Sequence, residues 1–169
     1  EQHHPSLLVM KSSPTTIQTL LSILSVLWAH SLAADFNAYL PSRTTNQLWI
    51  VHATEKGDEL SLTVDEKVDL GFVPATIVAH PEEPLLYVSA NVGDEGNSPA
   101  AIITLEADGS YKNHTPLTLD HGYAYLSLDR DQRFLLGADY RGGHIDVYAL
   151  DEQGKPGSRV AFLDEGRNA

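Results

Sequence analysis

The sequence contains few side chains whose spacing is typical of a catalytic or metal-binding motif. Neither a G-x-S-x-G nor a G-x-G-x-x-G segment occurs, so the sequence does not favour a serine hydrolase or a dinucleotide-binding protein. The absence of cysteine excludes disulfides and thiolate-bound metal. The histidines after the N-terminal segment show neither H-x-H nor H-E-x-x-H spacing, so no metal is expected. These histidines are His52, His80, His114, His121 and His144.

Two further polar features could bind ions, but each has a simpler interpretation. The acidic stretch Asp94-Glu95-Gly96-Asn97 lacks the alternating ligand spacing of a calcium loop, so we interpret it as a solvent-exposed insertion. Arg141 follows an Asp-Tyr pair and could contact an anionic group, but the sequence favours a solvated surface arginine. Neither feature predicts a cofactor, and we expect none.

The composition indicates a soluble globular protein with an acidic surface. The chain has 169 residues, of which 42% are hydrophobic and 20% charged, and its formal net charge is −12. Such a surface repels the phosphate backbone, so nucleic-acid binding is not expected. A phosphorylated small molecule would need a local cluster of basic side chains to overcome the overall charge.

The N-terminal segment predicts export. Residues Thr16 to Ala34 contain an apolar core, Ile17 to Trp28, that has the length of a helical signal segment and is short for a membrane span. Small residues precede a cleavage point after Ala33, so residues 1–33 are interpreted as upstream sequence plus signal peptide. Residues 34–169 then form the mature domain. A buried amphipathic helix remains the alternative, in which case the protein is cytoplasmic. After signal removal no stable membrane span is expected.

The mature part repeats itself with a period typical of small sheets. Short apolar runs alternate with Gly, Pro, Asn and Asp, which favours strands and turns. Aligning His80 with Asp129, an offset of 49, also aligns Ser89 with Ala138. A third partial copy places residues 46–51 on residues 143–148 and aligns Gly57 with Gly154.

A period of this length with several short strands predicts blades of a β-propeller. The fold class is therefore all-β, a partial propeller of about two and a half to three four-stranded blades. The predicted inner strands are Ala75–Ala79 and Ala124–Leu128. The second strands are Leu85–Ala90 and Phe134–Ala138, and the third strands are Ala101–Leu105 and Ile145–Leu150. A sandwich or an ordinary meander is the alternative.

Propellers close their ring with about four to eight blades, so this sequence is expected to end partway around the ring. An incomplete ring leaves a blade face without a neighbour. We therefore expect self-association through that open face.

The repeated segments resemble the seven-bladed lactonases, a family that includes 6-phosphogluconolactonase and the carboxymuconate cyclising enzymes. The resemblance covers Asp35 to Ala169, and its most specific part is "LSLDRDQRFLLGADYRGGHIDVYALDEQG". In the family's turn and strand-end pattern, Arg130 replaces the usual Pro, Gln132 the usual Gly and Asp139 the usual Asn. The resemblance implies hydrolysis of a sugar-derived lactone without a metal or cofactor. It also implies that the family's catalytic His, Arg and Glu would follow Ala169.

Candidate substrate-binding residues lie where the predicted inner strands begin. Thr76, Tyr123 and Tyr125 would line a central cavity and offer hydroxyl groups, and Tyr125 occupies a position where some relatives carry a histidine. The alternative is that all three pack between blades. Two functions follow: a lactonase acting on a small-molecule sugar lactone, whose catalytic residues are not in this chain, or a non-catalytic exported propeller that binds a ligand or acts as a scaffold.

Overall fold

The computed structural model describes residues 34–90 and 96–164, and every regular element within them is a β-strand. The predicted all-β class is thereby confirmed. The predicted signal segment, the first half of the acidic stretch and residues 165–169 lie outside the described residues. No helix that could cross a membrane occurs in the described ranges.

The strands form three antiparallel sheets that follow one another along the chain, here called blades 1, 2 and 3. Blade 1 contains β1 (Ala34–Pro41), β2 (Gln47–Lys56) and β3 (Glu59–Asp69). Blade 2 contains β4 (Thr76–Ala79), β5 (Leu85–Ser89), β6 (Ser98–Leu105) and β7 (Tyr111–Leu119). Blade 3 contains β8 (Tyr125–Leu128), β9 (Phe134–Asp139), β10 (His144–Leu150) and β11 (Pro156–Asp164).

Strand order within each blade is sequential, and the first strands of blades 2 and 3 contact each other. The two sheets therefore converge at β4 and β8, the radial arrangement expected of propeller blades. The predicted strands agree with the observed ones, although β6 begins earlier than expected, at Ser98. Blade 1 has three described strands, and these correspond to the second, third and fourth strands of the other blades.

Two apolar cores join the three blades. The first interface, between blades 1 and 2, includes Leu48, Ile50, Leu86, Val88 and Ile103. The second interface, between blades 2 and 3, includes Tyr87, Ile102, Leu126, Leu135 and Tyr148. Residues that alternate along one strand thus belong to different cores: Leu86 faces blade 1 and Tyr87 faces blade 3. This period of two produces the short alternating runs of the sequence.

The same hydrogen bond connects each blade to the next. The Tyr39 hydroxyl donates to the Gly109 carbonyl, and the Tyr87 hydroxyl donates to the Gly154 carbonyl, both at 2.8 Å. Gly109 and Gly154 have positive φ angles of 81° and 72° and lie at turns that a side chain would obstruct. Leu136 occupies the corresponding strand position in blade 3.

Gly57 and Gly154, which the sequence repeat aligns, both have positive φ angles and lie between the third and fourth strands of their blades, but the two turns differ in length. Lys56 pairs with Glu59, so Gly57 lies in a two-residue turn at the tip of the β2–β3 hairpin. In blade 3 the last pair is Leu150 with Pro156, and the connection is longer. The first hairpin therefore extends further than its counterpart, a difference of strand length that aligned glycines alone cannot reveal.

Candidate functional site

The most unusual feature of the described residues is a polar cluster in the second interface, four of whose six members are buried. Asp120, His121, Tyr123, Asp146, Tyr148 and Arg159 make up this cluster, here called the Asp146 cluster. Asp120 and His121 follow the outermost strand of blade 2, and Tyr123 precedes the innermost strand of blade 3. Asp146 and Tyr148 belong to β10, and Arg159 belongs to β11.

The Asp146 carboxylate is fully buried and accepts three hydrogen bonds. His121 Nδ1 and the Tyr123 hydroxyl each lie 2.6 Å from Oδ2, and Arg159 donates to Oδ1 at 2.8 Å. Because an ionised carboxylate only accepts, His121 must carry its proton on Nδ1 in this contact. Asp146 therefore fixes the tautomer of His121 and connects the inter-blade crossover to β10 and β11.

A row of four oxygens extends from Asp146 to Asp120. Tyr123 and Tyr148 hydroxyls lie 2.7 Å apart, and Tyr148 donates to the Asp120 carboxylate at 2.8 Å. The backbone N–H of Asp120 also donates to the Tyr148 hydroxyl, at 2.9 Å. The hydroxyl groups of Tyr123 and Tyr148 supply two protons for three short oxygen–oxygen contacts, so this row of oxygens can accept one more proton.

The electrostatics of the cluster favour an ionised Asp146 and neutral phenols. Burial alone would raise the pKa of Asp146, but hydrogen bonds from Tyr123, His121 and Arg159 outweigh it and lower the pKa below its usual range. Burial raises the pKa of Tyr123 and of Tyr148. The hydrogen bond to Asp146 raises the pKa of Arg159. The buried negative charge of Asp146 is thus balanced by the permanent positive charge of Arg159.

The first interface provides an internal comparison for the cluster. The lead-in "VDLGF" aligns with "LDHGY", which places Leu70 opposite His121 and Phe72 opposite Tyr123. Strand pairing makes Ala101, the partner of Val88, equivalent to Asp146, the partner of Gly137. By the same register Ile103 is equivalent to Tyr148. All four positions are apolar in the first interface, so two blades of this protein pack together without charged groups there.

His121 faces an aromatic environment on the side away from Asp146. Its ring centroid lies 4.6 Å from that of His144 and 6.0 Å from that of Phe162, with which it is stacked. The Arg159 guanidinium lies 4.4 Å from the Phe162 ring centroid. Since only 7% of His121 is exposed, its remaining nitrogen is poorly placed to activate a bulk water molecule. The arrangement is suited to holding the crossover between β7 and β8 in place.

The three residues predicted to bind substrate differ in their exposure and contacts. Thr76 is 9% exposed and pairs with Ser89 at the start of β4. Tyr123 is completely buried, and its hydroxyl already contacts two cluster members. Tyr125 is 67% exposed at the start of β8 and pairs with Ala138. Their binding of a substrate stays a prediction.

His121, Asp146 and Arg159 were not singled out from the sequence as a group. Their separation along the chain hides the contacts, which arise from the register between β9, β10 and β11. One signal in the sequence could have indicated the cluster. Polar residues occupy repeat positions at which the preceding blade has apolar residues. Arg141, by contrast, is exposed, and its backbone N–H donates to Asp139.

Two surface cavities lie between blades 2 and 3. One, of about 520 Å³, opens beside the Asp146 cluster and is lined in part by Thr118, Asp120, Tyr148, Ser158 and Arg159. The other, of about 490 Å³, lies among the turns near His80 and Gly154. Within residues 34–90 and 96–164, no group of three or more His, Asp or Glu side chains is arranged to hold a metal ion.

A family model described as "Lactonase, 7-bladed beta-propeller" matches residues 37–168, which span all three blades. A search of curated proteins found no significant match.

Proposed function

The chain belongs to the seven-bladed β-propeller lactonase family, and from this premise we propose that the complete propeller hydrolyses a sugar-derived lactone. The observation that carries the proposal is the family match over residues 37–168, together with blades that converge at β4 and β8. Because a fold alone does not specify chemistry, the activity requires its own test.

The proposed reaction needs a base and a stabilised oxyanion. A water oxygen bonds to the lactone carbonyl carbon while a His, Asp or Glu accepts its proton. The carbonyl oxygen becomes negative and is stabilised by an arginine or by positioned donors. The ring C–O bond then breaks, and the leaving alkoxide takes up a proton to give the open hydroxy acid.

We place this chemistry at the central channel, where the innermost strands begin. Thr76 and Tyr125 stand at the first positions of β4 and β8, and their hydroxyl groups would orient the sugar ring. The catalytic base and the arginine are proposed to come from blades other than the three described. The His121–Asp146 pair is not assigned this role, since His121 lies on the crossover from the outermost strand and both residues are buried.

The substrate class follows from charge and from the proposed export. A net charge of −12 makes a phosphorylated lactone a poor electrostatic match unless basic residues cluster at the site. An exported protein would also not meet a cytoplasmic phosphorylated intermediate. We therefore propose a neutral sugar lactone as the substrate and the periplasm or the exterior as the location.

Hydrolysis of gluconolactone and of its 6-phospho form would test the proposal, with spontaneous ring opening subtracted. We expect a protein with all seven blades to accelerate opening of the neutral lactone, and the 169-residue chain to leave it at the spontaneous rate. Saturable binding without hydrolysis by the seven-bladed protein would instead favour the non-catalytic binding module. Turnover by the 169-residue chain would show that the catalytic groups lie within it.

A further inference from the structure

One motif on the outermost strand of blade 2 takes no part in the proposed hydrolysis. Asn113-His114-Thr115 has the Asn-X-Ser/Thr pattern of an acceptor for N-linked glycans, and this pattern occurs once in the 169 residues. All three residues lie in β7. Since a match to so short a pattern arises easily by chance, the surroundings of its side chains decide what the motif can do.

The folded blade leaves the two essential side chains of the motif accessible. Glycan transfer uses the Asn amide as the acceptor and the Thr hydroxyl two positions later. Successive side chains of a strand point to opposite faces, so Asn113 and Thr115 share one face of β7. Both are exposed, whereas His114, on the opposite face, is half-buried. A glycan on Asn113 would therefore extend into solvent and displace no core residue.

Blade 3 does not cover the motif, although it packs on the same side of the sheet. Thr115 pairs with Ile102, which belongs to the second interface, so Asn113 and Thr115 lie on the side of blade 2 that faces blade 3. Both blades of this interface are among the described residues, and the two side chains remain exposed beside it. The outermost strands of a propeller lie on its circumference, so additional blades leave this stretch of β7 accessible.

The backbone directly before the acceptor is irregular. Thr104 pairs with Asn113 but Leu105 pairs with Tyr111, so Lys112 is an extra residue, a β-bulge, next to the acceptor. The outer edge of β7 pairs with no further strand within the described residues. A bulge on an edge strand bends the strand and redirects its side chains, which sets the acceptor amide apart from the regular ladder.

We propose that Asn113 is an N-glycosylation site. The amide nitrogen of Asn113 bonds to the first carbon of an oligosaccharide that a lipid diphosphate donates. The bond from that carbon to the phosphate oxygen breaks, and the amide proton leaves with the lipid diphosphate. The modification rests on the proposed export, and of the two locations given above it commits to the exterior of the cell. It does not depend on lactonase activity, so failure of either proposal leaves the other in place.

Secretion of the chain from a yeast host tests the proposal. One form keeps its own N-terminal segment, residues 1–33, and a second form carries a yeast signal peptide before Ala34, so that glycan attachment is tested separately from export. Asn113→Gln removes the acceptor, and Thr115→Ala removes the hydroxyl group but keeps the acceptor. Thr115→Ser is the conservative variant. Asn97→Gln is the matched control, because Asn97 is exposed but has Pro99 two positions later. The measurements are the gel shift on treatment with peptide N-glycosidase and mass spectrometry of the peptide that contains residue 113.

We expect the wild type, Asn97→Gln and Thr115→Ser to lose one glycan on treatment, and Asn113→Gln and Thr115→Ala to run unchanged. Occupancy of the wild type should be partial, because Pro116 holds Thr115 in an extended conformation, and Pro116→Ala should raise it. A secreted wild type and a secreted Pro116→Ala variant that both lack the glycan would overturn the proposal, as would a shift that persists in Asn113→Gln. A glycan on the form with the yeast signal peptide but not on the form with residues 1–33 would support the site and overturn export through that segment.

Discussion

The Tyr123 ring lies directly against Gly137, so close that a Cβ atom at position 137 would come within 2.6 Å of the ring. Val88 occupies the equivalent position of the first interface. It lies in an apolar core against which Phe72, the counterpart of Tyr123, also packs. The missing side chain of Gly137 therefore makes the space that allows Tyr123 to reach Asp146.

Gly137→Ala should displace Tyr123 and destabilise the fold by about 1–3 kcal/mol, the usual cost of overpacking a dense interior. The free energy of unfolding from chemical denaturation measures the effect. Gly157→Ala is the matched control, because a Cβ atom there would meet its nearest neighbour, the Ala149 carbonyl, at an ordinary 3.6 Å. Equal stability of the two variants would contradict the close packing of Tyr123.

Asp146 should make the free energy of unfolding depend on pH in the acidic range. Because hydrogen bonds hold the folded-state pKa below its usual range, the ionised form stabilises the fold above the unfolded-state value of about 3.9. That stabilisation is lost as the pH falls through the folded-state pKa. Asp146→Asn should cost about 3 kcal/mol at pH 7, because a neutral amide replaces the buried carboxylate that accepts three hydrogen bonds, and should flatten the acid limb of the stability curve.

Denaturation at a series of pH values between about 3 and 7 tests this expectation. Asp131→Asn is the control, since Asp131 forms only an exposed ion pair with Arg133, at 3.7 Å. An acid limb of the same steepness in Asp146→Asn and in the wild type would assign the pH dependence to other carboxylates.

The internal comparison between interfaces predicts that the four members of the Asp146 cluster with apolar counterparts in the first interface can be replaced together. A variant carrying His121→Leu, Tyr123→Phe, Asp146→Ala and Tyr148→Ile introduces the residues found at the equivalent positions of the first interface. It should remain folded with a stability within about 2 kcal/mol of the wild type, since apolar replacement of buried polar partners together is often neutral or stabilising, and the remaining Asp120 and Arg159 are partly exposed. Its circular dichroism and melting transition are the measurements.

Single members of that set behave differently from the complete replacement. Asp146→Ala alone removes the acceptor for three donors and should destabilise more than the fourfold variant does. If the fourfold variant fails to fold while Asp146→Ala folds, the two interfaces are not interchangeable and the cluster is required for blade packing.

Gln132 stores conformational strain in the turn before β9. It is the one non-glycine among the described residues with a positive φ, at 58°. Left-handed backbone costs a residue with a Cβ atom about 1–2 kcal/mol, part of which glycine recovers after its larger unfolded-state entropy is subtracted. Gln132→Gly should therefore stabilise the fold by about 0.5–1 kcal/mol, measured by chemical denaturation. Gln132→Ala keeps the strain and should give no gain; a stabilisation by alanine equal to that by glycine would remove the strain explanation.

The sequence repeat predicted the blades because equivalent turns use equivalent chemistry. His80 and Asp129, aligned on position alone, both cap the turn before a second strand: His80 Nδ1 accepts from the Glu83 N–H at 2.9 Å, and Asp129 Oδ1 accepts from the Arg133 N–H at 2.7 Å. The polar side chain satisfies backbone donors in either case, so the position tolerates different residues while the structure stays the same.

The Asp146 cluster could not be predicted in the same way. His121 and Asp146 are 25 positions apart, and their contact depends on which face of β10 packs against blade 2. Strand alternation leaves two choices for that face, and only the register between neighbouring sheets selects one. The length of the β2–β3 hairpin, which has Gly57 at its tip, could not be predicted from the sequence either.

The tyrosine-to-turn hydrogen bonds, from Tyr39 to Gly109 and from Tyr87 to Gly154, have a consequence for how the protein comes apart. Each one ties a sheet to its immediate neighbour and to no other, so mechanical load or thermal agitation is shared locally rather than across the whole molecule. Amide exchange should then be slow in β5 and β6, because blade 2 is held by such a hydrogen bond on each side.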